Sequence, residues 1–372
     1  MPSFIQRFRG IEMADATEED GRSRNVGTYE FMSKSHTDAI RTVLILIIIL
    51  YHESLYLDVD IMPREGAYSV MLFFFLSGYG LYLSTSKPNY LRDFVQKKIV
   101  VLLVRYWMII LSTVVLTAVL FLSTEGMTRS LIDLTQSYPS WYVFQLLFFY
   151  LIFFIAFVCF KDRRKSIVFI CILVPFLMYA QFRYFNSNLY LRSGLGFIFG
   201  VVFARYKGYF DRIPLIVRIV IAIAAGCVLF FNDGYSYRTN VYVTPLFFLL
   251  MVLVISSIDI GRFSVLLIAA GAVFYSTGSI TCGTALMLSG LCEFTYTSRY
   301  LKLFGKYSLE MFLTHWMLMT YLYEEVGITD TLWLSVAIVA ATIAFSIAVK
   351  KLCDIPINRY TASVTEVGNS GL

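Results

Sequence analysis

Apolar residues along this chain come in long blocks rather than in alternating or half-faced patterns. Blocks lie near 39–57, 66–84, 99–122, 141–160, 166–182, 190–206, 214–232, 241–258, 308–326 and 330–352. Crossing the hydrocarbon core as a helix takes roughly 17–25 such residues. The pattern predicts an all-α integral membrane protein, a bundle of about ten transmembrane helices. The shorter blocks, 166–182 among them, are extended by flanking aromatic residues. The stretch 264–291 breaks the count. It is apolar but carries Gly271, Gly278, Gly283 and Gly290 among Ser and Thr. A single crossing there would invert the last two helices. A re-entrant hairpin or a pair of short half-helices would preserve the topology, and the re-entrant reading is favoured, because irregular backbone at membrane depth is tolerated where protein buries it.

The polar connections assign the sides. If the N-terminal tail is inside, the inner connections carry Lys87, Arg92, Lys97, Lys98, then Lys161, Arg163, Arg164, Lys165, then Arg205, Lys207, Arg212 and Arg262. The outer connections carry Arg64, Arg129, Arg183 and Arg238. That asymmetry is the positive-inside signature. It predicts a multi-pass protein of the plasma membrane with both termini in the cytoplasm. Residues 1–37, polar and with Glu18-Glu19-Asp20, read as a flexible cytoplasmic tail, not a signal peptide. Residues 38–358 read as one membrane domain and 359–372 as a cytoplasmic C-terminal tail.

Composition agrees. The chain is 58% hydrophobic and 15% charged, too few charges to cover a soluble surface, so membrane lipid is its solvent. The net charge of +6 is spread over short connections, which argues against a nucleic-acid partner. The six cysteines lie mostly within apolar runs and lack CxxC spacing. They indicate neither a disulfide framework nor a metal site.

The candidate chemistry begins on the first span, 38-DAIRTVLILIIILYHES-54. Asp38 and Arg41 are three apart and can pair on one face. Arg41 and His52 are eleven apart, about three helical turns, so they share a face with a rise of roughly 16 Å. An Arg at the inner boundary then puts His52 near the bilayer midplane, where an ionisable group marks a functional site by default. The bland readings are a snorkelling Arg41 and a hydrogen-bonded bundle histidine. Glu53 points about 100° away from His52 on the helix and reads as pairing near the outer boundary. His36 falls in the tail and receives no role. The second span contains 73-FFFLSGY-79, where Ser77 and Gly78 also suit close helix packing. A basic run, 94-FVQKK-98, precedes the third span.

These segments together resemble the membrane acyltransferase 3 family: D-x-x-R-x10-H on helix one, FFFLSGY on helix two and FVQKK before helix three. Later stretches are similar too. Trp141 and Tyr142 open the fourth span, Arg192 precedes Gly194-Leu195-Gly196-Phe197, and 303-LFGKYSLEMFLTHW-316 looks like a late G-x-x-S…H segment. The resemblance implies an O-acyltransferase that moves an acyl group, usually acetyl, from cytoplasmic acyl-CoA to a hydroxyl of a cell-envelope polysaccharide or lipid-linked sugar. It implies catalytic roles for Arg41 and His52, with acetyl-CoA as co-substrate and no metal. Where the family has R-x-x-R at helix three, this chain has Lys98 and Val101. Arg105, one turn on, is read as the substitute cation or as a snorkelling residue.

A hydroxyl attacks a thioester poorly until a base takes its proton, and a positioned His is the commonest such base. His52 is assigned as that base or as a covalent acyl relay. The phosphates of coenzyme A need cations, for which Arg41, Lys97, Lys98 and Arg105 stand on the inner side. Ser77, Tyr79, Trp141, Tyr142, Arg192 and His315 are assigned to the acyl and acceptor channel. His315 is equally readable as packing with Trp316. With no hydrolase-like domain fused in this sequence, a separate extracytoplasmic partner protein is compatible with the reading, and the short outer loops leave acceptor recognition to the outer cavity. The competing function is a multi-helix transporter of a small polar solute, since an intramembrane His also suits a proton-coupled carrier. The absence of two related halves speaks against it. A sensor or scaffold is the third reading.

Overall fold

The computed structural model describes residues 32–56, 65–121, 138–185, 193–232, 250, 264–298, 300–320 and 332–370. Among them the chain forms eleven helices: α1 Lys34–Tyr56, α2 Glu65–Ser84, α3 Val101–Phe121, α4 Tyr138–Cys159, α5 Arg163–Phe185, α6 Leu195–Phe210, α7 Leu215–Asn232, α8 Ser264–Ser276, α9 Ile280–Thr297, α10 Ser308–Thr320 and α11 Leu332–Ser370. Nine of the ten apolar blocks overlap these helices in their described residues. The tenth, 241–258, lies outside the described residues save Leu250. Among the described residues, five helical segments are by length and composition long and apolar enough to cross a membrane: Gly66–Ser84, Val95–Leu116, Trp141–Cys159, Arg163–Tyr184 and Ser335–Ser363.

The 264–291 stretch is two helices, α8 and α9, folded back at Thr277–Ser279, with Gly278 at φ +89° in the turn. Their antiparallel contact is built on glycine. A Cβ at Gly271 would meet the Gly283 carbonyl, and one at Gly290 would meet that of Ser264. Backbones therefore approach closely, the device membrane helices use where no water drives association. The α2–α6 pair is built the same way. A Cβ at Gly196 or Gly200 would collide with the carbonyl of Met71 or Phe75, and one at Gly78 with that of Phe197. The matching order of these contacts makes α2 and α6 run parallel.

Helix α1 sits at the centre. It packs against α2, α9, α10 and the 301–307 turns. Most of its apolar residues are buried, including Ile40, Leu44, Ile45, Ile48 and Ile49, while Leu50 and Leu55 near its end are exposed, as expected for a helix largely enclosed by protein. The outer helices expose apolar stripes instead. Phe144, Phe148, Leu151 and Ile155 follow one face of α4, and Val168, Ile172 and Phe176 one face of α5; such stripes suit a lipid surround. At the end of α1 that carries Asp38, Thr42 Oγ lies 3.0 Å from the Leu301 carbonyl and Gly305 abuts the Asp38 carbonyl.

Three features differ from the sequence reading. Helix α1 starts at Lys34, so His36 is fully buried, its Nε2 3.0 Å from Glu293 Oε1 of α9 and its ring edge-on to Tyr296. Residues Val95–Val100 form a π-helical turn feeding straight into α3. The last helix runs on to Ser370, past the apolar block and through Pro356. Hydropathy marks where lipid ends, whereas helix-compatible polar residues such as Asp354 and Arg359 carry the backbone further.

Candidate active site

His52 stands in the penultimate turn of α1, and α10 brings His315 to it. The gap between His315 Nε2 and His52 Nδ1 is 3.0 Å, and both rings are buried. His315 Nδ1 lies 3.0 Å from the Met311 carbonyl one turn back. A carbonyl only accepts, so Nδ1 of His315 carries the hydrogen. In a neutral His315 ring Nε2 is then the acceptor, and His52 Nδ1–H donates to it. In a neutral His52 ring the remaining lone pair is on Nε2. The Met311 carbonyl thus sets the tautomer of His315, and His315 in turn orients His52, which also hydrogen-bonds to the main chain of Ile48, an arrangement by which a base is oriented for proton transfer. Trp316 packs edge-on to His52 with centroids 5.0 Å apart, and Tyr51 lies 5.1 Å from it. Trp316, the packing partner read for His315 from the sequence, here packs on His52.

Arg41 lies three turns earlier on α1, with its guanidinium 3.4 Å from Asp38. Its charge is within electrostatic range of Tyr142 and Tyr150 on α4 and of Lys98. Ser77 of α2 donates its hydrogen to the Phe73 carbonyl at 2.9 Å. The Tyr142 and Tyr150 side chains hydrogen-bond to Ser77, whose oxygen lone pairs accept them. From Tyr142 an aromatic path continues to Phe312, centroids 4.7 Å apart, and from Phe312 to His315 at 5.9 Å. Arg41, Ser77, Tyr142, His315 and His52 therefore follow one continuous line through α1, α2, α4 and α10.

The other candidates take different positions. Tyr79 is buried against Phe75 and Phe203, on the α6 side. Trp141 packs on Phe74, centroids 6.4 Å apart. Lys97 pairs with Asp93 at 2.9 Å. Burial alone would raise the Asp93 carboxyl, but hydrogen bonds from Lys97 and Arg92 outweigh it and hold it below its ordinary value. Lys98 lies over the Tyr90 ring at 5.9 Å and within range of Lys87 and Arg41. Arg105 is held by two carboxylates, Asp354 at 2.8 Å and Glu310 at 3.5 Å, and Lys350 lies 3.6 Å from the same Glu310 oxygen. Arg192 lies outside the described residues. Glu53 is buried and hydrogen-bonds with Ser335 of α11.

Sequence reasoning missed Tyr150, Phe312, Glu310 and the His36–Glu293 pair. Tyr150 had a signal, because it lies two turns beyond Tyr142 on α4. Glu310 had one as well: a carboxylate inside an apolar segment asks for a cation. Among the described residues no group of three or more His, Cys, Asp or Glu could hold a metal.

Comparison with known proteins adds the family. The chain matches no curated protein and no solved structure. A family profile described as an acyltransferase domain matches residues 37–351, from just before Asp38 to the middle of α11. The match takes in every element of the Arg41–His52 line, and with it this multi-pass membrane protein belongs to the acyltransferase 3 family.

Proposed function

We propose that the protein is an O-acyltransferase that moves an acyl group, acetyl by the family's habit, from cytoplasmic acyl-CoA to a hydroxyl of a cell-envelope polysaccharide or lipid-linked sugar. The observation that carries the reading is the His315–His52 hydrogen bond at 3.0 Å, at the far end of a line that starts at Arg41.

In this reading the donor's phosphates sit among Arg41, Lys98 and Lys97, where a planar guanidinium and two ammonium groups can meet them. The carboxylate pairs on Arg105 make it a secondary contact. The donor's arm runs past Ser77, Tyr142 and Tyr150 toward the histidines, a span of about 16 Å set by eleven helical residues. His52 Nε2 takes the proton of the acceptor hydroxyl. The oxygen forms a bond to the thioester carbonyl carbon, the carbon–sulfur bond breaks, and the departing thiolate receives the proton from His52. His52 Nε2 as a transient acyl carrier is the covalent variant of the same geometry. Ping-pong rather than sequential initial-rate kinetics would identify it.

The test uses purified full-length protein in lipid nanodiscs with radiolabelled acetyl-CoA and a panel of envelope glycans. Transfer is expected in wild type, with a loss of at least about a hundredfold in His52→Ala, the scale of general-base catalysis, and a comparable loss in Arg41→Ala. A fully active, correctly inserted His52→Ala protein rejects the mechanism.

A further inference from the structure

Gln145 lies on α4, 1% exposed, and neither its amide nitrogen nor its amide oxygen has a hydrogen-bond partner. Burying an amide in this condition costs free energy that no packing gain of its own returns. Two more polar groups without partners lie nearby. Ser193, directly ahead of α6, is 1% exposed with an unbonded hydroxyl, and the buried carbonyl oxygen of the Gln181 side chain on α5 is unbonded as well.

Their common location follows from one three-helix contact. A Cβ on Gly194 would meet both Met178 of α5 and Phe149 of α4. Gln145 is one turn before Phe149 on the same stripe, about 40° round the helix. Gln181 is three residues beyond Met178, and Ser193 is next to Gly194. Because α4 and α6 run opposite to α5, all three are displaced from that contact toward the same end of the bundle. It is the end where α1 finishes and His52 stands, since Gly66 at the start of α2 abuts Tyr51. Trp141, one further turn back on α4, presents an indole beside them. Tyr142, the next residue after Trp141, packs on Phe312, and Phe312 on His315.

We infer that Gln145, Ser193 and Gln181 form a binding subsite for a neutral, hydroxyl-bearing sugar unit, with Trp141 as its stacking surface. This rests on the acyltransferase reading, in which the unit is the part of the acceptor adjoining the sugar that receives the acyl group. The chemistry fits that class. An amide offers two donors and one acceptor, a serine hydroxyl one donor and two lone pairs, and a second amide oxygen a further acceptor. Together they match the mixed donors and acceptors of a sugar ring, while an indole face suits its C–H edges.

The experiment is saturation-transfer NMR on full-length protein in nanodiscs, with N-acetylglucosamine and maltose as probes, on wild type, Gln145→Leu, Ser193→Ala and His52→Ala. Saturation transfer to at least one probe is expected in wild type and His52→Ala, and a loss of about tenfold in apparent affinity in Gln145→Leu, the scale of one or two hydrogen bonds. Thermal melting of Gln145→Leu is expected to be unchanged or higher, since an unbonded amide is replaced by an apolar group of like size. A structural glutamine would give a lower melting temperature. Equal transfer in wild type, Gln145→Leu and Ser193→Ala, or none in wild type, overturns the subsite. Binding lost in Gln145→Leu without acetyl transfer in wild type keeps the subsite and rejects the acyltransferase reading.

Discussion

Nε2 of His315 and Nδ1 of His52 lie 3.0 Å apart, joining positions separated by 263 residues in the chain. In the proposed acyl transfer, this bond would make His315 a positioning residue, acting through His52. Two substitutions separate that role from bulk. Glutamine keeps an acceptor oxygen for His52 Nδ1–H, whereas leucine keeps only volume. In the acyl-transfer assay at saturating donor, His315→Leu is expected to lower kcat about ten- to a hundredfold, the scale of a lost hydrogen bond to a charged transition-state group. His315→Gln is expected to retain most of the rate. Equal rates in both variants would remove the orienting role.

The α2–α6 contact makes a stability prediction. A Cβ on Gly200 collides with the Phe75 carbonyl, a backbone atom that cannot swing aside, while Gly80 on the same helix α2 has open space around it. Gly200→Val is expected to cost about 1–3 kcal/mol or more, the scale of overpacking. Gly80→Ala is expected to be neutral or mildly stabilising, because alanine is the better helix former. Fluorescence-detected size-exclusion chromatography after stepwise heating reads both. Matched profiles for the two variants would show that the close approach is not needed.

The charges around Glu310 predict non-additivity. Arg105→Met leaves Glu310, which is 1% exposed, with Lys350 beside it, and Glu310→Met leaves Arg105 with Asp354. Each single change is expected to cost about 1–3 kcal/mol, since an uncompensated buried charge is expensive and Arg105 is 21% exposed. In the double variant Lys350 and Asp354, four apart on α11, can pair with each other. The double variant should therefore lose less than the two singles together. A double-mutant cycle in melting temperature measures the difference; strict additivity would show that the four groups do not form one network.

How much of this was readable from sequence follows the range of the interactions. The all-helical character was, because it is set by local apolar length, whereas the bounds of α1 and α11 were not. The shared face of Arg41 and His52 was also readable, because eleven residues fix an angle within one helix. The rotation of one helix against another was not. His315 could be named as a candidate, yet nothing local says that α10 turns that ring toward His52 while Met311 fixes its proton. Arg105 could be proposed as a donor cation from its own helix, but its carboxylate partners sit more than two hundred residues away. His36 was misjudged because polarity in the flanking residues made the segment read as tail, while its partner, Glu293, lies on a helix that the glycine-rich stretch made hard to place.

The π-helical turn at Val95–Val100 makes residue number there as consequential as residue identity. A π turn holds one residue more than an α turn. Deleting a single residue from it would let α3 continue upstream as ordinary helix and swing every earlier side chain on that segment by about 100°. Asp93, Arg92 and Tyr90 would rotate away from Lys97 and Lys98. The reach of these ammonium groups toward Arg41 is thus governed by a phase set in the main chain, and a one-residue change in length would uncouple them with every cation still present.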